Sequence, residues 1–268
     1  MPGVAFKLAF TLFFTPIKYK TPERELPVLK KAEKFTAKIN NKRTQFYSWG
    51  KKEDPLIVLV HGWMGRASQF FKLIDQLVAS DYHVVSFDGP AHGASAGRQT
   101  NLYEFSDAIK VIAEKYGNIE LAIGHSFGGI TILNAIEQGL GIDNVAFIAT
   151  PSLSADIIKQ FEEKINGSSA TGENFKKEIF RKHGIAFDSI SASEMIKKIS
   201  LKSLLLVHDE NDRDVPIEHA RVMKDLYPTA KTIYTEGLGH TRILRNEAVL
   251  EEIILHINTV VLGESINS

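Results

Sequence analysis

Residues 119–129, IELAIGHSFGG, constrain the fold more tightly than any other stretch of the chain. A short apolar run, residues 121–123, breaks at Gly124-His125-Ser126-Phe127-Gly128 and resumes with Ile130, Leu133, Ile136 and Leu140 at helical spacing. That pattern predicts a strand, one sharp turn and a helix, with a serine at the apex. The flanking glycines have a steric reason. Strand and helix nearly meet at such a turn, and side chains two positions either side of the serine would collide. The turn directs the backbone N–H of Phe127 toward the serine oxygen. It also sets Ser126 at a helix N-terminus, where developing negative charge is favoured.

The rest of the chain repeats the alternation of strand and helix. Residues 35–39 and 44–49 alternate with a period of two around Asn40-Asn41, which predicts a hairpin at a sheet edge. Residues 56–60, LIVLV, form a continuous apolar run, the pattern of a strand buried on both faces, and end in His61-Gly62-Trp63-Met64-Gly65. Further strands are expected at 83–87, 145–149, 204–207 and 231–234, with helices at 68–79, 102–115 and 246–260. The fold class is therefore α/β: a doubly wound, mostly parallel, eight-stranded sheet covered by helices on both faces. Residues 151–200 depart from the rhythm. They carry helical segments at 155–165, 175–183 and 193–199, joined by a flexible 166–172 linker, and no strand. An insertion that long exceeds what a connection needs. A helical lid over the C-terminal ends of the strands, where ligands of open α/β sheets bind, is the expectation. The organisation is then an extension at 1–34, a core at 35–150 and 201–268, and a lid (cap) at 151–200.

Charge and composition remove several classes of function. The 32 basic and 32 acidic side chains balance without long runs of one sign, so no nucleic-acid groove is expected. The absence of cysteine excludes thiol catalysis, disulfides and cysteine metal sites. Residues 4–14 are apolar except for Lys7 and Thr11, but are too few to span a bilayer, which takes about 20 residues. They lack the basic start and small-residue cleavage site of a signal peptide. The expectation is a segment packed against the body, or an interfacial or dimerising arm, on a cytoplasmic protein that could form a homodimer. Residues 18–34 are charged, helical in pattern and expected to cross the surface.

A serine hydroxyl is a weak nucleophile until a base takes its proton, and the base needs a third group to hold its tautomer. Five histidines follow Ser126: His183, His208, His219, His240 and His256. Only His240 stands just past a strand in a loop, as a mobile acid–base requires. His183 belongs to the insertion, His219 and His256 are expected on helix surfaces, and His208 is the alternative base at a strand end. The loop at 208–216 offers Asp209, Glu210, Asp212 and Asp214 as the orienting acid. Asp212 is preferred, with Val215-Pro216 opening a helix behind it and Asp214 serving equally well as that helix's cap. An oxyanion needs two donors. Phe127 N–H supplies one and Trp63 N–H is expected to supply the other, since Gly62 lets the backbone turn inward. The side chains of Trp63, Met64 and His125 are expected to line the substrate pocket. No metal or organic cofactor is required.

Gly124-His-Ser-Phe-Gly128, His61-Gly62-Trp63, Asp88 with His92-Gly93-Ala94-Ser95, Asp212-Arg-Asp-Val-Pro216 and Gly239-His240 together resemble the α/β-hydrolase superfamily. The likeness is greatest to its lid-bearing, lipase- and carboxylesterase-like serine hydrolases, and it covers residues 35–260. It implies a Ser126–Asp212–His240 triad in that chain order and an acyl-enzyme route. The implied substrate is a small or medium acyl ester whose size the lid sets. Thioesterases, amidases, acyltransferases and carbon–carbon bond hydrolases share the family, and no residue separates them. Two positions depart from its pattern. Asp209 and Ala91 stand where the family commonly has glycine. The turn after Asp88 is structural in the family, which gives His92 no catalytic role. Dehalogenases and epoxide hydrolases of the superfamily use an aspartate nucleophile, against which Ser126 argues. Two other classes remain open: a ligand-binding or sensing protein with little turnover, and a membrane-peripheral lipase anchored by residues 6–14.

Overall fold

The computed structural model describes residues 3–167 and 169–263. Residues 1–2 of the expected extension, 168 of the expected linker and 264–268 of the expected core lie outside the described residues. In chain order the elements are α1 (Gly3–Phe13), α2 (Leu26–Lys31), β1 (Glu33–Ile39), β2 (Lys42–Trp49), β3 (Leu56–Val60), α3 (Phe71–Ala79), β4 (His83–Asp88), α4 (Leu102–Tyr116), β5 (Leu121–His125) and α5 (Phe127–Glu137). Then follow β6 (Asn144–Ile148), α6 (Ser154–Lys164), α7 (Ser169–His183), α8 (Ala192–Met195), β7 (Ser203–Asp209), α9 (Glu218–Leu226), β8 (Lys231–Thr235), α10 (Gly239–Arg242) and α11 (Glu247–Ile257).

The eight strands form one sheet in the order β1-β2-β4-β3-β5-β6-β7-β8, antiparallel at the β1-β2-β4 edge and parallel from there on. The edge hairpin closes through Asn40 and Asn41, both at positive φ, as a two-residue turn matched to strand twist requires. Alternation along the central strands divides the core. Leu56, Val58 and Val60 of β3 join one apolar cluster with α4 and α5, and Ile57 and Leu59 join another with α3 and α11. All five are buried, each contributing about 1.5–3 kcal/mol by leaving water. The chain leaves β3 toward β4 on one side, and the next strand, β5, returns on the other. The order therefore reverses between β3 and β5, which opens a crevice at their C-terminal ends.

The insertion between β6 and β7 is helical, as expected, but the 166–172 stretch is not a linker. After a turn at Asn166, α7 already begins at Ser169. Gly172 lies inside α7 because α6 crosses it closely: a Cβ there would strike Glu162 and Ile158. That glycine serves packing, not flexibility. Around this crossing lies a third cluster, separate from the two sheet-face cores. Phe10 of α1 joins Ile158, Phe175, Ile179 and Phe187 of the insertion. The centroids of Phe6 and Phe10 each lie 5.4 Å from that of Phe175, and Phe13 lies 5.1 Å from Phe161. The N-terminal segment thus packs against the insertion, and Thr100 N–H donates to the Phe14 carbonyl (3.0 Å) to tie it to the body. Its phenylalanines face inward, leaving Val4, Leu8 and Leu12 as the exposed apolar side chains of α1. Among the described residues no helix is long and apolar enough to cross a membrane.

Phe175 is the hub of this satellite cluster, and Phe175→Ala is expected to cost about 3–5 kcal/mol locally. Limited proteolysis should then cut within residues 154–190 while the sheet stays intact; cleavage no faster than wild type would remove the hub role.

Candidate active site

The turn after β5 has the predicted geometry. Ser126 sits at φ 53° and ψ −120°, a strained conformation for a residue with a side chain, held by its N–H bond to the Ile148 carbonyl (2.8 Å). Glycine is obligatory around it. A Cβ on Gly124 would run into the Gly129 backbone, and one on Gly128 would strike the Val60 carbonyl. Phe127 opens α5, so its N–H has no partner within the helix.

The acid and the base meet as expected. His240 Nδ1–H donates to Asp212 Oδ2 at 2.8 Å, which leaves Nε2 unprotonated and available. The Asp212 side chain is fully shielded from solvent. Burial pushes its pKa up, but the bonds from His240 and from the N–H groups of Val215 and Asp214 outweigh this and hold it below the usual carboxylate range. Oδ1 takes both of those N–H groups at 2.9 Å. Asp209, where a glycine was expected, staples β7 to the histidine loop: its carboxylate accepts from Thr235 Oγ1 at 2.7 Å and from Leu238 N–H at 2.8 Å. Its bonds explain why the departure is tolerated, and nothing in the local sequence announced them.

His208, the alternative base, is buried. It donates from Nε2 to the Val215 carbonyl (2.7 Å), and so braces the acid loop without facing Ser126. Asp214 does not cap the following helix, which starts two residues beyond Pro216; its carbonyl instead accepts from Gln160 of α6 (2.7 Å). His219 and His256 are not surface residues. Each turns inward to a serine: Ser152 Oγ lies 3.0 Å from His219 Nδ1, and Ser203 Oγ 2.9 Å from His256 Nε2. These bonds satisfy one nitrogen of each ring, while the buried Nδ1 of His256 has no partner among the described residues.

The loop after β3 enters the crevice from the other side. A Cβ on Gly62 would stand 3.0 Å from Ser126 Cβ, a contact tight enough to favour glycine where this backbone passes. The next N–H, that of Trp63, takes no partner among the described residues. Two buried histidines hold the loop. His92 donates from Nδ1 to the Pro90 carbonyl (3.0 Å) and accepts Met64 N–H at Nε2 (3.1 Å). His61 donates to the Gly62 carbonyl (2.7 Å) and accepts Gly89 N–H (2.9 Å). Ala91, the other departure, bears φ 66°, which accounts for glycine being usual there.

His125 completes the bracing. Its Nε2–H donates to the His240 carbonyl (2.9 Å) while Nδ1 accepts from Gln69 Nε2 (3.1 Å). Burial lowers the pKa of His61 to about 4, and of His92 and His125 to about 3 each, so all three are neutral. Gln69, Asp209 and the bracing roles of His61 and His92 were not legible, because each has at least one partner far away in sequence.

Trp63, Met64, His125, Ser126 and His240 line one cavity of about 300 Å³. Among the described residues no hydrogen bond joins Ser126 Oγ to His240 Nε2; such bonds are often long before substrate arrives. The insertion reaches the acid loop through Gln160, but among the described residues it contributes nothing to the lining of this cavity. One atom each of Asp212, Asp214 and His240 could approach a common cation. Both Asp212 oxygens are, however, already engaged in the bonds above, and His240 Nδ1 carries the proton it gives to Asp212.

Residues 57–174 match the alpha/beta hydrolase family. A serine hydrolase-like protein of Homo sapiens is 35% identical over 88 residues, 31% of this chain and 43% of that protein. Protein ABHD12B of Homo sapiens is 30% identical over 197 residues, 68% of this chain and 51% of that one. The chain thus spans about half or less of the length of these relatives. A solved bacterial membrane phospholipase A has the same fold, with a TM-score of 0.67 at 15% identity over 96% of this chain and 94% of that one.

Three imidazoles with lowered pKa values set an expected acid lability. Their neutral forms stabilise the fold fully above the ordinary histidine value of 6.5, and the stabilisation drains as pH falls toward the lowered values. These three rings contribute up to about 4 kcal/mol per pH unit, and His83, His208, His219 and His256, also lowered by burial, add to the slope. Urea midpoints measured from pH 7.5 to 5 should therefore fall steeply, and less steeply by about one proton in His92→Gln. A flat profile would show that these rings titrate normally.

Proposed function

Because the chain belongs to the α/β-hydrolase superfamily, we propose that it is a serine hydrolase of carboxylic esters working through an acyl-enzyme. Ser126 Oγ attacks the ester carbonyl as His240 Nε2 takes its proton. The tetrahedral oxygen accepts from Phe127 N–H and Trp63 N–H, and the Asp212 carboxylate stabilises the imidazolium. Collapse expels the alcohol, which receives the proton from His240. Water then attacks the acyl-serine with His240 as base. The second collapse returns the proton to Ser126 and releases the acid. The observation carrying this reading is the delivery of the 2.8 Å His240–Asp212 pair to the cavity that holds the strained Ser126.

No cofactor enters the scheme, and the partner is a small or medium ester. The insertion is proposed as a lid that acts through its contact with the acid loop, where Gln160 meets Asp214.

Hydrolysis of p-nitrophenyl esters of graded acyl length is expected, with kcat/KM falling by about four to six orders of magnitude in Ser126→Ala. Asp212→Asn should lose about 10⁴-fold, because the wrong tautomer of His240 is then favoured. Equal activity in Ser126→Ala would end the proposal. Thioester and amide analogues of the best acyl group place the bond type. A ligand held intact for hours by the wild type would instead indicate a binding protein.

A further inference from the structure

Three arginines, Arg24, Arg66 and Arg245, line the cavity beside Ser126, against a single carboxylate, Glu25. Glu25 is buried and occupied: Ser68 Oγ donates to it at 2.8 Å, and only Arg24 approaches it, at 4.0 Å. The side chains of Arg66 and Arg245 have no hydrogen bond or ion pair among the described residues, and both residues are half-buried. Arg98 and Arg213 also lack partners, but they are exposed, where water solvates them. Arg66 differs further, since its Nη1 is closed off from solvent and has no hydrogen-bond partner among the described residues. A buried guanidinium nitrogen is costly to leave unpaired, and buried charges are ordinarily matched. The nearby imidazole of His125 is neutral and supplies no counter-charge.

Resting on the assignment of Ser126 as nucleophile, we propose that this cavity selects esters bearing a second, anionic group, a carboxylate or a phosphate. Arg66 is the principal holder, and Arg245 and Arg24 stand at the cavity wall. A guanidinium offers a planar pair of N–H donors that matches the oxygens of either group. Trp63, Phe71 and Leu244 provide the apolar wall along which the carbon chain between ester and anion would lie. A volume of about 300 Å³ restricts that chain to a few carbons.

Two ester pairs test this, each compared by kcat/KM at low ionic strength. Mono-p-nitrophenyl glutarate is set against p-nitrophenyl pentanoate, and butyryl glycerol phosphate against butyryl glycerol. The anionic member of at least one pair should be preferred by about tenfold or more, and the pair that shows it identifies carboxylate or phosphate. The preference ratio should collapse in Arg66→Gln, recover in part in Arg66→Lys, fall in Arg245→Gln and weaken with salt. Using a ratio cancels any general loss of activity in a variant. Hydrolysis of both pairs with no charge preference, or a preference untouched by Arg66→Gln and Arg245→Gln, overturns the anion site and leaves the hydrolase standing. Calorimetric binding of glutarate monomethyl ester to Ser126→Ala supplies the converse. Arg66-dependent binding with no turnover by wild type would keep the anion site and remove the hydrolase. Neither binding nor turnover would remove both.

Discussion

The arrangement depends on one steric fact: two backbones pass each other at the C-terminal ends of β3 and β5, with no room for a Cβ at Gly128 and little at Gly62. Gly128 lies against the Val60 carbonyl and Gly62 against Ser126 Cβ. This contact sets the loop after β3 beside the turn after β5, so that Trp63 and Ser126 line the same cavity although they are 63 positions apart. It exists because the strand order reverses there, so that neighbouring strands send their following segments in opposite directions. The strain at Ser126, of order 1–3 kcal/mol, is held by the packing on both sides.

Loops that close to each other need bracing, and neutral histidines supply it. His61, His92 and His125 each donate one hydrogen bond and accept another, which fixes their tautomers and leaves no buried imidazole nitrogen among them unsatisfied. An arginine or lysine in the same places would bring a charge to be matched, and an apolar ring would leave Met64 N–H and Gly89 N–H unpaired. The histidines therefore do structural work next to His240, the one imidazole among the described residues that lines the cavity with a ring nitrogen left free.

What the sequence could disclose follows from how local each cause is. Strand β3 was legible to the residue and β5 from its first residue, though it runs two residues past the apolar run, because an apolar run that ends in a glycine-bearing turn is a local pattern. Ser126, Asp212 and His240 stood out for a related reason: each follows a strand end, and the topology sends all those ends to one edge. His219 and His256 were misplaced on helix surfaces because periodicity does not reveal a buried serine on another element. The 166–172 stretch looked flexible from its glycines, while Gly172 answers a crossing helix that only the packed structure contains. Asp209 was taken as a departure from the family, and its partners Thr235 and Leu238 belong to another strand and loop.

The division of charge around the site follows from the same topology. Negative charge is concentrated behind His240, in the β7 loop, where Asp209 and Asp212 are each neutralised by backbone and side-chain donors. Positive charge lies on the cavity lining, where the β3 loop carries Arg66 and the segment after α10 carries Arg245. The carboxylates are spoken for within the protein and the guanidiniums are not. The positive potential of the unpaired guanidiniums across this cavity of about 300 Å³ would favour developing negative charge at Ser126, whereas the acid pair, of like sign, favours only the imidazolium of His240. It would also hold an anionic substituent on the wall away from Asp212, with the ester carbonyl between them.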